Sequence, residues 1–282
     1  MSGAARAARK LPRRKELTTG RPPRRIAAHG VRRVTSKRVL RGQNQRMVLP
    51  SIQRSPDRIT PPERMNLGIL ASHDGTTLQS VIDACADGRV PGRVVVVVSN
   101  NSTSGALVRA RQAGIRAVHL SSKTHDHLAT LDAAIRDTLL AAEVDLIFLA
   151  GYMKRLGPLV LAAFPGRILN THSALLPKFA GHGMYGDRVF EAVLEAGEPE
   201  SGVSIHLVDS EYDTGLVVRQ CRVPVLSGDS IDDLKTRVRA REKKLVVDTF
   251  AAIAHGRIRL AERAGQHRLA ADAARCLVER RG

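Results

Sequence analysis

Residues 65–99 read MNLGILASHDGTTLQSVIDACADGRVPGRVVVVVS. Asn66–Ala71, NLGILA, is a short apolar run that ends in SHDGTT, a polar stretch with a glycine, so a strand gives way to a turn. Leu78–Ala86, LQSVIDACA, places its apolar side chains at helical spacing. Arg93–Ser99, RVVVVVS, is a solid β-branched run, as expected of a strand covered on both faces. A strand, a helix and a strand buried on both sides make a βαβ unit, the building block of a parallel sheet.

The alternation continues outward from this unit. Gly105–Ala113 reads as helix, Ala117–Leu120 as strand and His127–Ala142 as an amphipathic helix. Asp145–Ala150, DLIFLA, is another buried strand, Leu156–Phe164 a helix and Arg167–Asn170 a strand. The fold class is therefore α/β, a doubly wound, Rossmann-like, mostly parallel sheet. Beyond residue 186 the pattern changes. After a helix at Val189–Ala196, the runs Gly202–Val208 and Val217–Val225 alternate apolar with polar, which predicts an antiparallel pair added at the sheet edge. Ser230–His255 is a long helix. Asp229 or Ser230 can cap its first turn, and Asp232 and Asp233 suit the positive end of its dipole. Residues 261–282 form a tail with room for one short helix.

Before Met65 the chain is of another kind. The formal charge of +18 suggests a nucleic-acid binder. Its location argues otherwise: residues 1–60 hold 17 of the 45 basic side chains against Glu16 and Asp57, leaving 28 bases and 25 acids for the rest. Residues 1–64 lack sustained apolar periodicity and read as a basic, disordered extension. They are Arg-rich and acid-poor, as organellar transit peptides are, and translation from Met47 or Met65 is the other reading. Weak tail-mediated contact with RNA is compatible with this charge, and no specific nucleic-acid partner is expected. The domains are thus 1–64, a globular 65–260 and 261–282. Cys85, Cys221 and Cys276 share no metal or redox spacing, which fits free thiols in a reducing, cytoplasmic compartment. No apolar run approaches the roughly 20 residues of a membrane span.

In open α/β sheets ligands bind beyond the carboxyl ends of the strands. Ser72–Thr77 is such a turn, and its free N–H groups at a helix start suit a phosphate. It matches neither GxGxxG nor GxxxxGK[ST]. Asn170 and His172 end a strand two positions apart, so both face one spot, where an amide and an imidazole suit a developing oxyanion. Asp213, in EYDTG, is a carboxylate that can orient an imidazole. His206 is the rival imidazole, and its apolar neighbours make it read as a packed strand residue. No nucleophile elbow and no metal-ligand spacing is present, which leaves direct group transfer.

The motifs ILNTHSALLPKFAG, LAGYMKRL, GVSIHLVDSEYDTG and VPVLSGDSIDDLKTRVRAREKKL, taken in order, resemble the phosphoribosylglycinamide formyltransferase family, from about Met65 to about Arg259. The resemblance implies a formyltransferase fold. It implies transfer of a formyl group from 10-formyltetrahydrofolate, as co-substrate and without a metal, to the amino group of glycinamide ribonucleotide in purine biosynthesis. Asn170 and a protonated His172 would hold the oxyanion. Asp213 would keep His172 charged and help pass the amine proton to the folate nitrogen. Gly75, Thr76 and Thr77 match the phosphate turn of the ribonucleotide site, and Glu242 matches the acid at its glycinamide end. Met153, Lys154, Arg155 and Leu156 match the folate loop, and Val208, Asp209, Ser210, Glu211 and Tyr212 match the wall of the pterin pocket. His73, Thr77, Lys154 and Lys243 depart from the family pattern, and no basic residue stands at 127–128. A formyltetrahydrofolate hydrolase would carry a regulatory domain before the catalytic one, and a methionyl-tRNA formyltransferase a β-barrel after it. The partners expected are two small molecules, with monomer and homodimer both open.

Overall fold

The computed structural model describes residues 64–260. The expectations for 1–64 and 261–282 lie outside these residues, apart from Arg64. Seven strands form one sheet in the order β3-β2-β1-β4-β5-β6-β7. They are β1 (Met65–Leu70), β2 (Gly92–Ser99), β3 (Arg116–His119), β4 (Leu146–Leu149), β5 (Ile168–His172), β6 (Glu200–Leu207) and β7 (Val217–Pro224). The first five run parallel, and β6 and β7 join antiparallel at the edge. The fold is the α/β class expected from the alternation.

The strands are buried because helices cover both faces. Helices α1 (Thr76–Ala86), α2 (Gly105–Gln112), α5 (Asp187–Glu195) and α6 (Ile231–Ala254) pack on one core around Leu67, Ile69, Phe148 and Leu169. Helices α3 (Leu128–Ala141) and α4 (Pro158–Ala163) cover the other, around Leu70, Val96, Val98 and Ile147. The run Val94–Val98 is apolar throughout because both of its faces meet a core: Val94 and Val97 pack on the first, Val95, Val96 and Val98 on the second. Phe148 and Phe250 meet edge to face at 5.2 Å and fix α6 against the sheet centre. Ser230 closes a capping box with Asp233 at the start of α6. Asp229, the alternative cap, instead pairs with Arg237 at 2.6 Å, and that pairing and the Leu226 N–H hold its carboxyl down at about 2. Among the described residues no helix is long and apolar enough to cross a membrane.

Two boundaries differ from the expected ones in ways that matter. Strand β5 continues past Asn170 to His172, because β6 pairs with it as far as His172–Ser204. Asn170 is therefore held on both sides, by β4 and β6, while Thr171 and His172 are held by β6 alone. Helix α4 starts at Pro158 rather than Leu156. Gly157 is its cap, the Asp132 carboxylate accepts from Leu159 N and Val160 N, and Leu156 is left buried in the loop before it. The chain leaves β1 toward β2 on one side and returns to β4 on the other, so the sheet has its switch point between β1 and β4. The loops after these two strands are joined there. Ser72 N donates to the Gly151 carbonyl at 3.2 Å, and Met153 N donates to Ser72 Oγ at 2.8 Å.

Candidate active site

The carboxyl end of β5 brings the expected catalytic residues together. Asp213 reaches back from the β6–β7 connection with its backbone at φ +56°. Its Oδ2 lies 3.5 Å from His172 Nδ1 and accepts from Gly181 N at 3.1 Å. Its Oδ1 lies 3.4 Å from His206 Nε2. Asn170 Nδ2 is 3.1 Å from the same His206 nitrogen. His206, read from the sequence as a packed strand residue, is thus a member of the cluster, nearly fully buried. What places it there is the register that sets Asn170 against His206, a long-range pairing with no local signal.

The protons in this cluster follow from its acceptors. His172 Nε2 is 2.6 Å from the Phe179 carbonyl, and His206 Nδ1 is 2.8 Å from the Leu207 carbonyl. A carbonyl only accepts, so these nitrogens carry the ring protons. The nitrogens that face Asp213 then hold lone pairs when the rings are neutral. Asn170 satisfies the one on His206 by donating to it. The one on His172 meets the carboxylate directly, so a proton delivered there is shared by ring and carboxylate. Burial pushes His172 below the usual imidazole range, and the Asp213 carboxylate and Phe179 carbonyl oppose this without cancelling it. Burial also works against the Asp213 charge, but a hydrogen bond from His206 and the charge of His172 when those rings are protonated, together with the Gly181 N–H, outweigh it and hold that carboxyl below its ordinary value. The resting pair is therefore a neutral imidazole beside a carboxylate. Burial thus works against the charge that the resemblance asks of His172.

The residues expected to take the ribonucleotide also converge. Gly75 adopts φ +69° and begins α1 with no side-chain cap and no acid in the first turn, so the N–H groups at Thr76 and Thr77 are left for a ligand. A Cβ at Gly75 would sit 2.8 Å from Ala106 Cα, and Arg109 Nε braces the turn through the Asp74 carbonyl at 2.8 Å. Glu242 comes in from α6. Its Oε1 accepts from Thr77 Oγ1 at 3.3 Å and from Thr171 Oγ1 at 3.0 Å. Burial raises its carboxyl above the ordinary value, and the two hydroxyls hold it back only in part. Thr171 lies between Asn170 and His172, so one strand carries the expected catalytic pair on one face and a partner of Glu242 on the other.

The residues expected to take the folate lie on two facing loops. The Arg155 guanidinium donates to the Ser210 carbonyl and pairs with Glu211 at 2.8 Å, and it stands 5.8 Å from the Tyr212 ring centre. Asp209 closes its own turn by accepting from Glu211 N and Thr214 Oγ1. Val208 packs partly buried on the α3/α4 core, while Met153 and Lys154 are exposed. A cavity of about 530 Å³ opens on the other flank of Asp213, lined by Leu176, Pro177, Gly181, Tyr212, Gly215 and Val217 among others. Of the residues expected to take the folate only Tyr212 lines it. Among the described residues no group of three or more His, Cys, Asp or Glu is placed to hold a metal ion.

The family described as formyl transferase matches residues 65–250. A phosphoribosylglycinamide formyltransferase of Haemophilus influenzae is 40% identical over 194 residues, 69% of this chain and 89% of that protein. The protein of that name in Escherichia coli K12 is 36% identical over 200 residues, 71% and 92% of the two chains. The solved structure of glycinamide ribonucleotide transformylase 1 from Symbiobacterium toebii superposes with a TM-score of 0.66 at 38% identity, covering 71% of this chain and 92% of that one.

Proposed function

This chain belongs to the phosphoribosylglycinamide formyltransferase family, and from that premise we propose how its residues move a formyl group from 10-formyltetrahydrofolate to the amino group of glycinamide ribonucleotide. The ribonucleotide phosphate lies on the N–H groups at Gly75, Thr76 and Thr77, and Glu242 receives the glycinamide end. The folate lies against Met153–Leu156 and Val208–Tyr212. Both substrates then meet at Asn170.

The amine nitrogen attacks the formyl carbon. A carbon–nitrogen bond forms, and the carbonyl electrons move onto oxygen. Asn170 Nδ2 spends one N–H on His206 and keeps the other for this oxyanion. The attacking nitrogen becomes positive and sheds a proton. That proton lands between His172 Nδ1 and Asp213 Oδ2, where a lone pair faces a carboxylate. The imidazolium so formed carries its charge beside the oxyanion, which stabilises the tetrahedral intermediate. Collapse breaks the bond to the folate nitrogen, which takes the same proton. No net proton enters or leaves, and no covalent enzyme intermediate is required. Positioned groups of this kind contribute about 10²–10⁴ in rate each, and holding the two substrates together contributes a comparable factor or more.

The observation that carries this reading is Asp213 set within 3.5 Å of two buried imidazoles at the end of β5. The partners assigned are the two small molecules, and the cysteine pattern supports a cytoplasmic setting. The test mixes purified protein with 10-formyltetrahydrofolate and follows tetrahydrofolate release. Release that depends on glycinamide ribonucleotide supports the reading. Equal release without it would make the protein a hydrolase.

A further inference from the structure

One rung along the same face of the sheet lies a polar group with no part in the chemistry above. His172 on β5 pairs with Ser204 on β6, and Ser204 pairs with Gln220 on β7. Ser204 is fully buried. Its hydroxyl donates to the Ala174 carbonyl at 2.7 Å and accepts from Leu176 N at 3.0 Å and Gln220 Nε2 at 2.9 Å. Gln220 also donates to the Leu176 carbonyl at 3.0 Å. A buried hydroxyl is costly unless satisfied, and here every bond but the one with Gln220 goes to the loop that follows β5. That loop is pressed onto the sheet, since a Cβ at Gly202 would come within 2.5 Å of Leu175 Cδ2. Apolar packing alone would hold it down. The hydroxyl adds direction, because its acceptor at Ala174 and its donor at Leu176 fix where these two residues point.

The same loop runs on through Phe179, whose φ is +55° and whose carbonyl accepts from His172 Nε2 at 2.6 Å. Leu176 and Pro177 line the cavity beside Asp213. We propose that Ser204, completed by the Gln220 amide, is a positioning residue for the reaction: it sets the loop 174–179 so that the Phe179 carbonyl holds the His172 ring with Nδ1 toward Asp213. The assignment rests on the role given to His172 above.

Ser204→Ala and Gln220→Met separate this role from simple packing. Gln220 is exposed on an edge strand, so its replacement leaves the core intact. In steady-state assays each variant lowers kcat, Ser204→Ala by about ten- to a hundredfold, while KM for both substrates stays within about twofold. The double variant is no worse than Ser204→Ala alone, since both act through one network. In histidine-labelled protein, the NMR titration of the His172 ring (assigned by its absence in His172→Ala) moves to lower pH when the fixed carbonyl acceptor is lost. Unchanged kcat and an unchanged His172 titration in both variants, with only a lower Tm, would overturn the proposal. Wild-type protein runs in parallel: if it fails to transfer the formyl group, the reaction assigned above fails, and the NMR titration still decides the positioning role.

Discussion

Asp213→Asn keeps the size of the side chain and removes the charge between two imidazoles. The carboxylate oxygens stand 3.5 Å from His172 and 3.4 Å from His206, and Asp213 is about nine-tenths buried in the cluster. Opposite unit charges near this distance attract by about 5 kcal/mol at an effective dielectric of about 20. That is an upper bound on what the site loses when a proton reaches His172 in the variant. A positioned acid–base group is worth about 10²–10⁴ in rate, or roughly 3–5 kcal/mol, so the two magnitudes agree. The expected result is a kcat at least about a hundredfold lower, with KM for both substrates changed much less, because the lost interaction forms mainly in the transition state. The assay is tetrahydrofolate formation between pH 5.5 and 9, with chemical denaturation alongside. The folded carboxyl lies below its ordinary value of 3.8, so the stability it contributes is present above that pH and lost as pH falls through the folded value. The stability difference between wild type and variant should therefore shrink in strong acid. A kcat within about tenfold of wild type, with an unaltered pH profile, would refute the assignment of Asp213 to proton transfer.

Other positions give equally specific outcomes. Glu242 has its folded value raised above 4.5 by burial, so its contribution to stability is present below that pH and lost as pH rises through the folded value. Glu242→Gln should then melt higher than wild type at neutral pH, with the gap closing in acid, while KM for the ribonucleotide rises about tenfold or more. Gly75→Ala places a Cβ against Ala106 at positive φ and should destabilise the fold by roughly 1–3 kcal/mol in denaturant titrations. Arg155 and Glu211 are both more than half exposed, so Arg155→Ala should change stability by less than about 1 kcal/mol. It should raise KM for the folate donor and leave KM for the ribonucleotide unchanged.

The fold was legible because its signals are local. The unbroken apolar runs at 94–98 and 146–149 announce strands covered on both faces, and the helices between them carry their own spacing. The Asn170–His172 pair was legible as two groups on one side of a strand, and Asp213 through the motif it sits in. The rest depends on pairing across the sheet. His206 joins the cluster only because β6 runs antiparallel to β5 in a register that sets it opposite Asn170. That same pairing extends β5 to His172, three residues beyond Leu169, where its own apolar run ends. The burial that works against a charge on His172 was not legible for a related reason: a carboxylate partner is visible in sequence, whereas burial is a property of the assembled fold.

The account turns on direct transfer between two bound substrates, and a single-turnover experiment with donor labelled in the formyl carbon addresses it. Excess protein is mixed with labelled 10-formyltetrahydrofolate and glycinamide ribonucleotide, quenched in acid at intervals, and the label is followed. Direct transfer by the Asn170, His172 and Asp213 set moves the label from folate to ribonucleotide in step with tetrahydrofolate formation and leaves none on the protein. Label released as formate, or trapped on the protein before it reaches the ribonucleotide, would contradict it.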